Sequence, residues 1–272
     1  ESLFLMPAQR VLTLRDGWPR PFSDYAPGDP YVVRAFSEQL RFIMDQEFKA
    51  GESVFPKPNR LKAAYRSMLS ESIFSRFSLR IEKERAQKRL VLSESGKKET
   101  LPFMVWSAGQ REFMPLLLGL YWLMPPAKVS RRNDIRWVVI EEPEMGLHPR
   151  AISTVLVLVH ELLYRGYRVC ISTHSTQILE MVWALDTIRK NRGTAEDLLE
   201  VLGAPHHPSL KNVARATLSK KTKAYYFENG MNVQDISDLD PESANELEAS
   251  WGGLVDPSFR TNEVVAGIMA NL

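Results

Sequence analysis

The run Val138-Val-Ile-Glu-Glu-Pro-Glu144 sets two adjacent carboxylates, Glu141 and Glu142, directly after a short, continuously apolar stretch. If residues 136–140 form a strand of an open α/β sheet, both acids stand at its carboxyl end, where such sheets bind their ligands. Ionised carboxylates are costly there unless something positive, such as a metal ion, compensates them. Neighbouring strand residues point to opposite faces, so the two acids can divide the work. One could hold a magnesium ion, directly or through water, while the other orients or deprotonates an attacking water. The competing explanation is a pair of acids at a helix-initiating turn beside Pro143 and Pro149.

Two further segments add chemistry. Trp106-Ser-Ala-Gly-Gln-Arg-Glu112 opens a helix with small residues, and backbone N–H groups at a helix start bind phosphate oxygens. Ser107 supplies a hydroxyl, Gly109 lets an anion approach the backbone, and Ala108 and Gln110 complete the turn. The same residues also suit an ordinary Ser N-cap. Ile171-Ser-Thr-His-Ser175 ends a second apolar stretch, and His174 could touch a terminal phosphate and report its presence, or be satisfied by local backbone. Cys170 reads as core. No G-x-S-x-G elbow supports serine hydrolase chemistry. Asp238-Leu-Asp240 could bind a metal for a nuclease, but it reads better as a solvated acidic loop. A phosphate-binding helix start, a strand ending in Glu-Glu and a strand ending near a His form, in that order, a phosphoryl-transfer layout.

The elements that must position these residues follow from periodicity. Residues 3–6 read as a strand stopped by Pro7, and 18–30 as a loop. Helices are expected over 31–48 and 61–74, and alternation over 77–81 and 89–93 predicts a β-ribbon leading to 101–106. A helix over 110–124 contains Pro115, which must kink it or mark its first turn, and Pro125-Pro126 ends it. Strands at 136–140 and 168–172, both of the kind buried on two faces, alternate with helices at 149–164 and 175–189, which is a βαβ unit. Beyond Gly193 the pattern weakens. Residues 224–227 and 233–236 read as paired strands around an Asn229-Gly230 turn, and the end as helical from Thr261. The fold class is therefore α/β, a mostly parallel sheet flanked by helices, with a helical insert and a β-ribbon.

Composition narrows the rest. The chain of 272 residues is 44% hydrophobic and 25% charged, enough apolar material for a core, which excludes disorder and low-complexity classes. One cysteine excludes a disulfide framework and a cysteine-rich zinc module. The strongly apolar stretch 116–124 falls well short of the roughly 20 residues a membrane helix needs, and with no leader visible a cytoplasmic location is expected. The net charge of +2 is uneven. Residues 76–98 and 211–223 are basic, and 228–256 is acidic without Lys or Arg. A basic cluster could neutralise nucleic-acid phosphates, or be a solvated face.

Together the three segments resemble the signature motif, Walker B and switch histidine of ABC-type ATPase heads, nearest the SMC-like and OLD-like (overcoming-lysogenisation-defect) bacterial defence ATPases of the AAA type. Ser107-Ala-Gly-Gln110 is similar to the Ser-Gly-Gly-Gln signature, with Ala108 at the second position. Glu141 takes the magnesium-associated position, where an Asp is usual, and Glu142 that of the catalytic glutamate. Glu144-Met-Gly-Leu-His-Pro149 resembles the loop that follows Walker B, and Ser172-Thr-His-Ser175 the switch. Leu5-Met-Pro-Ala-Gln-Arg10 resembles a strand-end motif of the same group. The resemblance implies a P-loop NTPase fold, ATP and Mg2+ as cofactors, and a homodimer or paired head clasped around ATP, with a nucleic acid or a nuclease or effector as partner and no membrane. It divides the chain into an N-terminal strand region (1–17), a helical insert with β-ribbon forming the signature lobe (18–100), an ATPase core (101–192) and an α/β extension (193–272). No G-x-x-x-x-G-K-[ST] occurs in the sequence, so a Walker A segment is expected ahead of residue 1. The competing reading is a degenerate, non-hydrolysing head that regulates or binds a partner.

Overall fold

The structure, a computed structural model, describes residues 2–49, 51–84, 87–125, 131–228 and 232–270. The N-terminal half carries β1 (Ser2–Met6), β2 (Leu14–Arg15), β3 (Trp18–Pro19), α1 (Tyr31–Glu47), β4 (Ser53–Phe55), α2 (Ala63–Leu69), β5 (Phe77–Glu84), β6 (Gln87–Glu94) and β7 (Thr100–Pro102). Next come α3 (Ala108–Leu123), β8 (Ile135–Glu141), α4 (Pro149–Tyr164), β9 (Arg168–Ser172) and α5 (Thr176–Lys190). The chain continues through α6 (Ala195–Val201), α7 (Pro208–Leu218), β10 (Tyr225–Phe227), β11 (Val233–Asp235), α8 (Glu246–Ala249) and α9 (Asp256–Ala270).

The central sheet is parallel, in the order β1-β8-β9, with Met6 beside Ile140 and Glu141 beside Ser172. Parallel neighbours need a crossover, and α4 supplies it between β8 and β9. Alternation along the strands sends Phe4, Met6, Val138 and Ile140 into the core. Helix α3 lies so close to β1 that a Cβ on Gly119 would sit 2.8 Å from Met6 Sδ, and Phe36 of α1 meets Phe4 edge-on. α3 is buried on nearly every side, from Phe113 to Leu123, as its unbroken apolar sequence requires. Each such Leu removed from water contributes about 1.5–3 kcal/mol. Pro115 falls inside α3 rather than in its first turn.

The expectation of strands buried on both faces is not met. Leu3, Trp137 and Cys170 are exposed, because among the described residues the helices cover the face bearing Phe4 and Ile140 and leave the other open. Cys170 therefore lies on an open sheet face and not in the core.

The insert folds against the same core. β4, β5, β6 and β7 form an antiparallel sheet, and β5 pairs with β6 from Phe77↔Glu94 to Glu84↔Gln87. The ribbon outruns its apolar alternation because backbone pairing continues through the charged residues at its tip. β7 is only Thr100–Pro102, and a 3-10 turn over Phe103–Val105 replaces the expected continuation. α2 passes into a π-helical turn, Ser70–Phe74, whose Phe74 stacks on Phe55 (4.3 Å) and meets Phe113 of α3 edge-on (6.0 Å). Glu161 of α4, fully buried, accepts from Tyr65 (2.6 Å), Lys62 (2.8 Å) and Arg165 (2.9 Å), which pins the insert to the crossover helix. One apolar cluster runs from Phe4 to Ala214; a second, smaller one gathers Ala224, Ile236, Leu239 and Trp251.

After Gly193 the sequence hid two helices. α6 starts on a Thr194–Asp197 capping box and α7 on His207 with Pro208 at its first position, signals that compensate for weak periodicity. α9 begins at Asp256, five residues before the expected Thr261. Pro126 and the Asn229-Gly230 turn lie outside the described residues. Among those described, no helix is long and apolar enough to cross a membrane.

Candidate active site

Glu141 is the last residue of β8, and Glu142 leaves the sheet in a left-handed conformation (φ 42°) while its N–H still donates to Ser172 C=O (2.9 Å). An L residue resists that conformation because its Cβ crowds the following carbonyl. Several bonds hold the corner. Arg10, wholly buried, donates from Nη1 to Glu141 C=O (2.9 Å), from Nη2 to Glu142 C=O (3.0 Å) and from Nε to Glu112 C=O (3.2 Å). Ala8 N–H donates to Glu141 Oε2 (3.0 Å), so one oxygen of that carboxylate is fixed against the exit of β1. Burial pushes the Arg10 pKa down, and the carboxylates of Glu112, Glu144 and Glu142 oppose the shift. Burial pushes Glu112 up, against the nearby Arg10.

The Glu142 carboxylate is one-third exposed, and its nearest cation-forming group is His174, whose Nε2 lies 3.9 Å from Oε1 on a side chain that is 82% exposed. Glu144 builds the loop that carries His174. Its Oε1 accepts from Thr173 Oγ1 (2.6 Å) and from His174 N–H (2.9 Å), and Thr173 Oγ1 in turn accepts from Ser175 N–H (2.9 Å). The second oxygens of Glu144 and Glu112 are buried without a hydrogen-bond partner.

Ser107 is exposed and caps α3. Its Oγ accepts from Gln110 N–H (3.2 Å), and Gln110 Oε1 takes Ser107 N–H (3.1 Å), a complete capping box. The ordinary N-cap explanation of this segment is thus realised, and it engages the Ser107 hydroxyl. Ala108 and Gly109 N–H, with no intrahelical partner at a helix start, remain the donors an anion can use. Gln110 Nε2 donates to Ile73 C=O (3.3 Å), which ties the cap to the insert. The turn after Glu144 packs on this start: a Cβ on Gly109 would lie 3.1 Å from Gly146 C=O, and one on Gly146 (φ 70°) would lie 3.0 Å from Glu112 Cγ. The next residues are accounted for by helix initiation, since His148 Nδ1 accepts Arg150 N–H and Pro149 opens α4.

Glu141, Glu142 and His174 therefore meet at one corner of the sheet edge, and residues 107–110 adjoin it through the turn at Gly146. Sequence reasoning passed over Arg10 and Glu144 as individual residues, although both lie in segments it singled out. The signal for Arg10 was a charge four residues past a core-facing Met6. Other motifs lie apart from this corner. Asp238 pairs with Lys190 (3.0 Å) and Asp240 accepts Glu242 N–H (2.9 Å). Lys211 and Lys223 pair with Glu196 (2.7 Å) and Asp235 (2.8 Å). Among the described residues no group of three or more His, Cys, Asp or Glu is placed to hold a metal. A magnesium ion asks for less, since it takes one or two carboxylates and draws its other oxygens from phosphate and water. Glu141, with a fixed carboxylate at the sheet edge, suits that role, and the free N–H groups of Ala108 and Gly109 suit phosphate.

A parallel sheet with helices on its face and acids at its carboxyl edge is the architecture of a P-loop-NTPase-like α/β protein. The family model described as AAA domain, putative AbiEii toxin, Type IV TA system matches residues 13–180, more than half of the chain, and the chain belongs to that family. Its members are AAA-type ATPases, a class that uses a nucleotide and usually Mg2+. No curated protein and no solved structure matches the chain.

Proposed function

We propose that this chain is the hydrolytic part of an OLD- or SMC-like ATPase head that pairs around Mg-ATP and drives a defence or nucleic-acid-related process. The observation that carries the reading is the Glu142 carboxylate, held at the sheet's carboxyl edge on a strained backbone, open to solvent and 3.9 Å from His174. Bound Mg-ATP would supply a phosphoanhydride bond and the ion that screens its charge. Glu142 orients a water molecule and takes its proton on the free carboxylate. Glu141 presents its carboxylate to the metal position, His174 reaches the terminal phosphate position, and Ala108 and Gly109 offer backbone donors to phosphate. Ser107 is exposed, as a residue serving a nucleotide held by a second head must be. The family description names a toxin–antitoxin system, which supports a defence setting.

The test is ATP turnover by the whole gene product and by Glu142→Gln, which keeps shape and loses the base. Turnover should fall at least 100-fold while ATP binding persists, because general-base contributions are about 10²–10⁴-fold. Equal rates would remove Glu142 from this role. The competing reading is a non-hydrolysing head that regulates or binds a partner. Wild-type protein that binds labelled ATP, or a partner, without turnover would establish it.

A further inference from the structure

A guanidinium sealed from water is expected to face a carboxylate. Arg10 does not. Its residue is fully buried, and its three hydrogen bonds all go to backbone carbonyls drawn from two separate elements: Glu112 in α3, and Glu141 and Glu142 at the end of β8. Two of these carbonyls flank the one backbone corner of the site that an L residue adopts reluctantly, at Glu142. The carboxylate of that residue lies 3.9 Å from His174.

We propose that Arg10 is a positioning residue: its planar fork holds Glu142 in the left-handed conformation that aims the carboxylate, and locks this corner to the helix that Ser107 caps. The proposal rests on the hydrolytic reading for its kinetic consequence, but not for its structural one. Nε, Nη1 and Nη2 diverge toward three acceptors in fixed directions, which one ammonium nitrogen on a flexible stem cannot reproduce. Met145 N–H also donates to Glu142 C=O (3.1 Å), so loss of the fork frees one side of that carbonyl and leaves the following turn weakly held. Because the same group bonds Glu112, a shift of the start of α3 reaches Glu142 through one side chain.

Arg10→Lys keeps the charge and removes the fork. In the whole gene product we expect kcat for ATP to fall at least tenfold with KM changed less than twofold. We also expect amide exchange across residues 142–147 to quicken at least tenfold, while residues 152–162 of α4 exchange as in the wild type. A structural role alone would quicken exchange in both segments. Wild-type kcat, or unchanged exchange at 142–147, overturns the proposal. If the wild type shows no turnover, the hydrolytic reading falls while the exchange result still decides Arg10. If Arg10→Lys does not fold, the wild type supplies the measurement: the Arg10 Nε–H, sealed against Glu112 C=O, should give a slowly exchanging 15N signal at pH 7. A fast-exchanging signal refutes the fork.

Discussion

The left-handed backbone of Glu142 makes a prediction in which the usual effect of glycine changes sign. Three variants separate the contributions. Glu142→Gln removes the charge, Glu142→Ala removes the side chain but keeps Cβ, and Glu142→Gly removes Cβ as well. In the left-handed region Cβ costs roughly 1–2 kcal/mol, which Gly recovers. Against this, Gly gives the unfolded chain more freedom, worth about 0.4–1 kcal/mol. The difference leaves Glu142→Gly more stable than Glu142→Ala by about 1 kcal/mol, whereas an Ala-to-Gly change inside a helix costs about that much. Urea unfolding measures it as a higher midpoint at unchanged slope. ATP turnover should be lost in all three, so the most stable of them is inactive. A Gly variant no more stable than the Ala variant would show that the corner carries no strain, and with it would go the argument that this conformation is maintained for function.

Other outcomes test neighbouring parts of the structure. Burial lowers the pKa of His160 on α4 to about 4 from an ordinary 6.5, so the folded chain keeps it neutral while the unfolded chain protonates it. The stability this provides is complete above pH 6.5 and is lost as pH falls toward 4, about 3 kcal/mol in all; His160→Leu should flatten unfolding free energy across that window, and an unchanged slope would refute the assignment. Gly146→Ala and Gly203→Ala both place a Cβ at positive φ, but only at Gly146 would it meet a neighbour, Glu112 Cγ at 3.0 Å. The first should cost more than the second, whose penalty is about 1 kcal/mol, and equal losses in urea unfolding would mean that the turn and α3 do not press together.

The candidate edge was legible in the sequence because its two strands are short, apolar and followed at once by acids or a histidine. That pattern places side chains at a sheet edge whatever covers the sheet. It could not reveal the cover, so Trp137 and Cys170 were expected inside and stand outside. Apolar runs report only that a strand is apolar, and a neighbouring layer is a tertiary fact. Helices α6 and α7 escaped for the opposite reason: their apolar stripes are short and their caps carry most of the signal. Ser107 was legible both as a cap and as a phosphate turn; the capping box realises the cap through Gln110 N–H and does not engage the N–H groups of Ala108 and Gly109. Arg10 was invisible as a positioning group because its acceptors are carbonyls, and carbonyls have no sequence.

Sites of this kind are marked by local costs gathered in one place. Other non-glycine residues with positive φ, such as Asp16, Ser75 and Arg192, lie in turns. Glu142 differs in that its N–H continues the ladder to Ser172 while its carbonyl is drawn to Arg10. Around the same corner lie a buried guanidinium without a hydrogen-bonded carboxylate and two buried carboxylate oxygens, on Glu112 and Glu144, without partners. Each of these would be removed by an apolar or better-paired substitution if stability alone were at stake. They adjoin the corner where Glu141, Glu142 and His174 stand, and this supports the proposed site over a helix-initiating turn that happens to be acidic.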